Sequence, residues 1–342
     1  MSTPPALSYD DVLLVPQYSD IVSRKEVELH SALDKERTLK LPILSSPMDT
    51  ITESPMASAI AQAGGLGIIH RYNSIETQVQ LVRQIHDPRH FKSAAIGITG
   101  DYLERAQALY EAGVKIFCLD VAHGHHVLMS TAITNLKSLY GDNIHIMAGN
   151  VATTKGFEDL ANWGADSIRC NIGSGSICST RIQTGHGVPG LQTIHDCFIA
   201  NVKRDVKIIA DGGIKNSGDI VKAFAAGADF VMVGSLLSGC TETPGEILYA
   251  PGGHTSKIYR GMASKEAQHS WRGKHSSNEG ISTTVACKGS VIEILKDLEN
   301  GIRSGLSYSG ARSILELQVK AKFIIQTPSG QSESQAHILH RK

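Results

Sequence analysis

Eight short apolar runs alternate with amphipathic segments of helical length between residue 41 and about residue 237. Each run is apolar nearly throughout rather than alternating, which is typical of parallel strands that are buried on both faces. The runs lie at residues 42–46, 67–70, 94–98, 116–120, 145–149, 167–171, 207–211 and 230–234. Eight strand–helix units predict a closed (β/α)8 TIM barrel, and an open sheet with fewer strands is the alternative.

A weak internal repeat supports this count. A glycine stands just ahead of four of the strands, at Gly64, Gly113, Gly164 and Gly227. A glycine at that place ends the preceding helix in a left-handed cap before the chain enters the sheet. In a closed barrel the functional groups lie where strands end and loops to the next helices begin, so polar residues at those ends are the candidates.

The rest of the chain is less regular, and we predict one catalytic domain over residues 1–342. Residues 1–40 are predicted to form an irregular N-terminal segment. Residues 238–289, which we call the flap, are rich in glycine, serine and charge and are predicted to cover the site as a lid. A helix is expected near residues 290–302, and a polar, flexible tail over residues 328–342.

Composition and charge narrow the class of protein. Lysine plus arginine equals aspartate plus glutamate, 33 each, and there is no basic stripe, so no nucleic-acid partner is predicted. The six cysteines show no C-x-x-C spacing and no secretory signal precedes them, which indicates a reducing compartment. No apolar run approaches the roughly 20 residues that cross a bilayer. We therefore expect a cytoplasmic protein with no membrane partner.

The loop after the sixth predicted strand, residues 171–181, has the most distinctive chemistry, and we call it the cysteine loop. Gly173 and Gly175 allow a tight turn that presents backbone amides and carbonyls to a ligand. Cys178 follows among hydroxyl side chains, with Arg181 close behind. A polar, partly cationic loop favours a reactive cysteine, whereas a structural cysteine normally has apolar neighbours. The local residues leave both a nucleophile and a structural free thiol open.

Glycine-rich sequences end the last two predicted strands. Gly212 and Gly213 follow the seventh strand, and Gly234 and Ser235 follow the eighth. This is the usual phosphate seat of the barrel architecture, because bare amides can approach the oxygens closely. Asp211, beside the first pair, can accept hydrogen bonds from two sugar hydroxyls. The combination predicts a nucleoside monophosphate ligand, and the alternative is that these glycines only make tight turns.

Three histidines at positions 123, 125 and 126 follow the fourth predicted strand. They could be interpreted as a metal site. No matching acidic or second histidine cluster stands at ligand spacing, so we expect a loop of solvated histidines instead.

Several motifs together resemble the family that unites IMP dehydrogenase and GMP reductase. They are Tyr-Asp-Asp-Val-Leu-Leu-Val-Pro at 9–16, Ser-Pro-Met-Asp at 46–49, the cysteine loop, Ala-Asp-Gly-Gly-Ile at 210–214, Val-Gly-Ser at 233–235 and Tyr-Arg-Gly-Met at 259–262. The resemblance runs from residue 9 to about residue 327. It therefore covers nearly the whole chain.

Three features make the chain more similar to the reductase branch. IMP dehydrogenases typically carry a pair of CBS modules after the second strand–helix unit, and residues 71–98 leave no room for them. The dehydrogenase flap carries an Arg-Tyr pair that activates water, and residues 263–278 contain none. Thr184-Gly185 resembles the Thr-Gly of reductases. Residues 304–307 and 331–334 resemble the dehydrogenase instead.

The resemblance implies a reaction. Cys178 would add to C2 of GMP and ammonia would leave, giving a thioimidate, and hydride from NADPH would then release IMP. Thr180 and Glu279 would relay the proton that the leaving amino group needs. The resemblance also implies a homotetramer in which a neighbouring subunit supplies part of the cofactor site.

The resemblance also implies three sets of site residues. Ser46, Met48, Ser176, Asp211, Gly212, Gly213, Gly234, Ser235, Gly261, Met262 and Gly280 would bind the nucleotide. Ser23, Arg24, Arg71, Asp120, Val121, Ala122, Ile172 and Gly173 would bind the cofactor, with the arginines on its 2′-phosphate. Gly173, Gly175, Cys178 and Arg181 would hold a monovalent cation, K⁺. Ser276 stands where many reductases have an arginine, which puts flap contacts to the nucleotide in doubt.

Other functions stay open at this point. One is an IMP dehydrogenase without CBS modules, which would convert IMP and NAD to XMP. Another is a catalytically silent protein that kept the purine-nucleotide pocket. A flavin-dependent barrel oxidoreductase is more distant.

Overall fold

The computed structural model describes residues 5–201, 205–274 and 279–334. Its centre is a closed barrel of eight parallel strands, so the predicted TIM barrel is confirmed. The strands are β1 (Ile43–Ser45), β2 (Leu66–Ile69), β3 (Ser93–Ile96), β4 (Ile116–Asp120), β5 (His145–Val151), β6 (Ser167–Cys170), β7 (Lys207–Asp211) and β8 (Phe230–Val233). The register Val231↔Ile43 between β8 and β1 closes the ring. All eight predicted runs became barrel strands.

Helices follow the strands in turn. They are α1 (Ser54–Gln62), α2 (Ile75–Arg83), α3 (Tyr102–Glu111), α4 (Val127–Tyr140), α5 (Thr154–Asn162), α6 (Thr180–Thr184), α7 (Gly190–Asn201), α8 (Ser217–Ala225), α9 (Lys265–Arg272), α10 (Val291–Tyr308), α11 (Ile314–Lys320) and α12 (Pro328–Glu333). Within the ranges described above, none of these helices is both long and apolar enough to cross a membrane.

The four repeat glycines adopt the backbone conformation that the sequence predicted. Gly64, Gly113, Gly164 and Gly227 have φ values of 91°, 97°, 104° and 112°. A Cβ atom on Gly227 would also lie 2.2 Å from Cγ of Phe198 on α7. Only glycine meets both demands there, which fixes the point at which α8 ends and the chain enters β8.

The predicted flap has secondary structure of its own. Strands β9 (Leu248–Tyr249), β10 (Thr255–Arg260) and β11 (Ser282–Ala286) form an antiparallel sheet, and α9 lies between β10 and β11 in sequence. In β10 the side chains of Lys257 and Tyr259 are buried, whereas Ile258 between them is 45% exposed. The sequence prediction missed this sheet because the flap is polar and lacks the apolar pattern that marks a strand.

The two ends of the chain are more regular than predicted. Val12–Leu14, in the segment expected to be irregular, pairs in antiparallel fashion with Phe323–Ile325 near the C terminus. Part of the tail that was expected to be flexible forms α12, and residues 335–342 lie outside the described part. The helix predicted near 290–302 continues to Tyr308, six residues further.

Two aspartates, each two residues after a repeat glycine, perform the same structural task with different partners. Asp166 and Asp229 each accept a backbone N–H at the start of a neighbouring strand, from Ile146 at 2.6 Å and from Ile208 at 2.8 Å. Lys137 Nζ lies 2.8 Å from Asp166. Among the described residues no lysine or arginine lies within ion-pair distance of Asp229, and burial raises the pKa of its carboxyl to about 6.

We expect the Asp229→Asn variant to gain melting temperature relative to the parent protein as the pH rises from 5 to 8. The carboxyl has a higher pKa in the folded than in the unfolded chain, where about 3.9 is usual. The parent therefore loses stability when the pH rises through 6, while asparagine keeps the acceptor without the charge. Thermal unfolding at both pH values measures this. Asp166→Asn should destabilise at both, because it breaks the Lys137 pair, and a pH-independent difference for Asp229→Asn would contradict the prediction.

Candidate active site

A cavity of about 470 Å³ opens at the carboxyl ends of the barrel strands, as the architecture predicts. Its walls come from the ends of β1, β2, β4, β5, β6, β7 and β8, the cysteine loop and the flap. The volume falls in the range of small-molecule and cofactor sites. Polar strand ends that are far apart in sequence therefore meet in one pocket.

A chain of hydrogen bonds joins the cysteine loop to the flap. The Cys178 thiol donates to Thr180 Oγ1 at 3.2 Å, and the Thr180 hydroxyl donates to Glu279 Oε2 at 2.9 Å. The backbone supports this contact, because Ser179 N donates to the carbonyl of Glu279 and Ile281 N to that of Ile177, both at 3.1 Å. The structure thus brings together the three residues predicted to be catalytic, with the flap docked on the cysteine loop.

Most of the residues predicted to bind the nucleotide line this cavity: Ser46, Met48, Ser176, Asp211, Gly212, Gly213, Gly234, Ser235, Gly261 and Met262. Gly212 and Gly213 have positive φ values of 92° and 78°. A Cβ on Gly234 would lie 3.3 Å from Met48 Sδ and 3.4 Å from Ser46 Oγ. Bare backbone at these positions leaves room for an anion to approach the amides. Gly280 is not among the residues that line the cavity, and its backbone pairs with Cys178 as an isolated bridge, so its contact with the nucleotide stays a prediction.

Arg169 connects the two sides of the cavity, and the sequence prediction missed it. Its Nε donates to Asp211 Oδ2 at 2.9 Å, and one terminal nitrogen donates to Asp120 Oδ1 at 2.7 Å. Asn150 Nδ2 also donates to Asp211 Oδ2, at 2.9 Å. Burial alone would raise the pKa of Asp120, but the charges of Arg169 and Arg71 outweigh it and hold that pKa below its usual value. The sequence does contain a signal that could have identified Arg169, because it is a charged residue inside the otherwise apolar run of β6.

The predicted cofactor residues Asp120, Val121, Ala122, Ile172 and Gly173 line the opposite side of the cavity. Arg71 also lines it, but its guanidinium already donates to the carbonyl of Asp120 at 3.1 Å and lies 4.9 Å from the centre of the Tyr72 ring. Ser23 and Arg24 lie on an exposed turn and do not reach the cavity of the same chain, within its described part.

Two further cavity residues, Trp271 and Arg272, come from α9 of the flap and were also missed. The Trp271 ring lies edge-on to Tyr72, with ring centres 5.2 Å apart, and Arg272 lies over the Trp271 ring at 4.2 Å. They give this side an aromatic wall and an exposed cation. The flap had been predicted as a loop, so no helical face was available to single them out.

The comparison with known proteins agrees with this geometry. A family model described as "IMP dehydrogenase / GMP reductase domain" matches residues 6–337. The chain belongs to this family.

Members of both branches of the family are similar to the chain. An inosine-5'-monophosphate dehydrogenase from Cryptosporidium parvum is 38% identical, over 97% of this chain and 94% of the relative. A GMP reductase from Leishmania major is 32% identical, over 98% and 97%. A crystal structure of a cysteine-to-alanine GMP reductase variant from Trypanosoma brucei, in complex with guanosine 5'-monophosphate, superposes with a TM-score of 0.93 at 31% identity and covers 98% of each chain.

These relatives weaken one of the sequence arguments for the reductase branch. The alignment with the Leishmania reductase is 478 residues long and that with the Cryptosporidium dehydrogenase 384, against 342 residues in this chain. The reductase therefore carries the larger additional segments. The missing insert does not distinguish a reductase from a dehydrogenase in this family, so the distinction depends on the flap.

The predicted monovalent-cation set of the family fits this chain only in part. The guanidinium of Arg181 donates to the carbonyl of Val188 at 2.7 Å, and its own carbonyl accepts from Gly185 N at 3.1 Å. A guanidinium is itself a cation, so Arg181 could be a ligand only through this carbonyl, which keeps a second lone pair for an ion, and that part of the set stays a prediction. The carbonyl of Gly175 accepts from Cys178 N at 3.0 Å. Binding of a monovalent cation by the carbonyls of Gly173, Gly175 and Cys178 stays a prediction.

Of the three histidines after β4, His123 and His126 are exposed, as predicted, and His125 is partly buried. His125 Nε2 lies 2.9 Å from Asp159, and His126 Nδ1 accepts from Leu128 N and so caps α4. In the described part of the chain, His, Cys, Asp and Glu side chains form no group of three that could hold a metal ion. Ser276, the position that departs from many reductases, lies outside the described residues.

Proposed function

We propose that the protein catalyses the NADPH-dependent reductive deamination of GMP to IMP and ammonia. The observation that carries the proposal is the chain of hydrogen bonds from Cys178 through Thr180 to Glu279. Glu279 comes from the flap, which has no tyrosine between residues 263 and 278. A dehydrogenase has to activate water at this step, and an Arg-Tyr pair on the flap does that in the dehydrogenases that the chain resembles. A carboxyl group at the end of a proton path can serve the expulsion of an amine. Some dehydrogenases also have glutamate at the position of Glu279, so the missing Arg-Tyr pair carries the distinction between the two reactions.

The direction of the hydrogen bonds suggests how the proton moves. As Cys178 Sγ forms a bond to C2 of GMP, its proton passes through the Thr180 hydroxyl to Glu279. Glu279 then delivers a proton to the 2-amino group, the C2–N bond breaks and ammonia leaves. The thiol proton thus ends on the leaving group, and a thioimidate between Cys178 and the purine remains.

NADPH, when bound, supplies the hydride that converts the thioimidate to IMP and frees Cys178. Asp120, Val121, Ala122 and Trp271 line the same part of the cavity and would hold its nicotinamide end. One terminal nitrogen of Arg71 donates to the carbonyl of Asp120, but its buried Nε has no hydrogen-bond partner among the described residues. We therefore assign the 2′-phosphate to Arg71, to the exposed Arg272 and to Arg24 of a neighbouring subunit in a homotetramer. Asp211, which Arg169 and Asn150 hold in place, accepts the ribose hydroxyls of the nucleotide.

Two assays run side by side test the proposal. Purified protein is incubated with GMP and NADPH, and with IMP and NAD, over a range of K⁺ concentrations, while absorbance of the reduced cofactor is followed. We expect GMP-dependent oxidation of NADPH, with higher activity in K⁺ if the carbonyls of Gly173, Gly175 and Cys178 bind it. The proposal fails if no oxidation occurs at any K⁺ concentration.

The second candidate is an IMP dehydrogenase without CBS modules. The higher identity to the Cryptosporidium dehydrogenase, 38% against 32% for the Leishmania reductase, favours it. XMP formed from IMP and NAD would establish this activity. Its absence, together with turnover of GMP, would dismiss it.

A further inference from the structure

Lys257 of β10 is a buried lysine with an unusual set of partners. Its side chain lies in the flap sheet, and the residue is only 4% exposed. The ammonium donates to the backbone carbonyls of Cys240 and Thr241 at 3.1 Å and of Thr243 at 2.7 Å, and Thr243 Oγ1 lies at 3.3 Å. We call these four oxygens the carbonyl cage. Each of the three ammonium protons has a carbonyl acceptor.

The cage contains only neutral oxygens. Among the described residues no carboxylate lies within ion-pair distance of Lys257, and the nearby Glu242 instead accepts from Ser290 Oγ at 2.7 Å and from Val291 N at 2.9 Å at the start of α10. A buried charge is costly unless its environment replaces the lost water. Carbonyl oxygens are what proteins use to replace the hydration shell of K⁺, an ion of nearly the size of ammonium.

We propose that the carbonyl cage is a monovalent-cation site which the chain fills with its own ammonium, and that this internal cation holds the flap in its docked position. The cage residues 240–243 follow β8, so they belong to the barrel side of the flap. Lys257 lies in β10, which leads into the part of the flap that docks on the cysteine loop. The ammonium of Lys257 therefore joins residues 240–243 to strand β10, close to the start of the flap.

The connection from Lys257 to the catalytic groups is short and rigid. Gly261, four residues further along, donates its N–H to the carbonyl of Ile281 at 2.9 Å, and Ile281 N donates to Ile177 of the cysteine loop. Glu279 stands two residues before Ile281. Lys257 is therefore a positioning residue: it fixes the sheet that brings Glu279 to Thr180, whichever purine-nucleotide reaction the site performs.

Chemical rescue tests the proposal. Lys257→Ala removes three carbons and the ammonium, which are the atoms of n-propylammonium, and leaves the cage open. Lys257→Met fills the same space with an uncharged chain. The readout is the rate at which Cys178 is alkylated by a bulky maleimide, followed by mass spectrometry, because flap docking shields this thiol. It needs neither GMP nor NADPH, so the result does not depend on the proposed reaction.

We expect alkylation to be about tenfold faster in both variants than in the parent protein. Propylammonium, ammonium or K⁺ should slow it again in Lys257→Ala, but not in Lys257→Met, and tetramethylammonium at equal ionic strength should have no effect. Alkylation at the parent rate in either variant would overturn the proposal, as would an equal response of both variants to propylammonium. If Lys257→Ala is too unstable for this assay, propylammonium should raise the melting temperature of Lys257→Ala and not that of Lys257→Met. The absence of this difference would also overturn the proposal.

Discussion

The Cys178→Ala variant is expected to lose GMP-dependent oxidation of NADPH by a factor of about 10⁴ or more. Without the sulfur no bond to C2 can form, and no other described nucleophile replaces it. The backbone of the cysteine loop does not depend on the thiol, because Cys178 N donates to the carbonyl of Gly175 and Ser179 N to that of Glu279. GMP should therefore still bind, with an affinity within about tenfold of the parent protein by calorimetry.

Cys287 provides a matched control for this experiment. It is also a partly exposed free cysteine on the flap, but it follows β11 and does not line the cavity. Cys287→Ala should keep parent activity. If Cys178→Ala turned over GMP at the parent rate, covalent catalysis would be refuted. Tight nucleotide binding by the parent protein with no turnover of any purine nucleotide would instead establish the catalytically silent alternative.

The Glu279→Gln variant is expected to lower kcat with GMP by about 10² to 10³-fold, since glutamine can accept from Thr180 but cannot deliver a proton. A substrate whose leaving group needs no proton separates this role from a merely structural one. With 2-chloroinosine 5'-monophosphate and NADPH, Cys178 adds, chloride leaves without a proton, the thiol proton is released to solvent, and the same thioimidate forms. The variant should lose much less activity with this substrate.

Variants of Thr180 complete the test of the proton path. Thr180→Val removes the hydroxyl at nearly constant volume and should resemble Glu279→Gln with both substrates. Thr180→Ser keeps the hydroxyl and should retain most activity. Equal losses with GMP and with the chloro substrate in Glu279→Gln would contradict a rate-limiting protonation of the leaving group and would place the effect of Glu279 at the thiol proton, a step that both substrates share.

The barrel could be predicted because its signal is local. A strand buried on both faces has to be apolar along its whole length, and the glycine ahead of it has to adopt a positive φ, as Gly64 and Gly227 do. The flap sheet could not be predicted in the same way. Its strand β10 buries a lysine, so the pattern that normally marks a strand was absent.

The residue types at the site could be predicted about as well as the barrel, but the hydrogen-bond partners of the two arginines, Arg71 and Arg169, could not. Arg71 was predicted to contact a cofactor phosphate because the family resemblance placed it there and a guanidinium can direct two donors at a phosphate. The structure gives it a closer partner in Asp120, 49 residues away in sequence. Arg169 was passed over as part of a strand, although it joins Asp120 to Asp211.

The sequence by itself determined the barrel, the position of the pocket at the strand ends and the cysteine loop with its candidate nucleophile. These follow from periodicity and from neighbours within a few residues. The contact between Glu279 and Thr180, 99 residues before it, was expected only from the family resemblance and is seen only in the tertiary structure, which alone shows that Lys257 lies in a cage of carbonyls. Such pairings depend on the path of the chain between the partners, since a charge takes whichever oxygen the fold brings within reach, and no local pattern records which one that is.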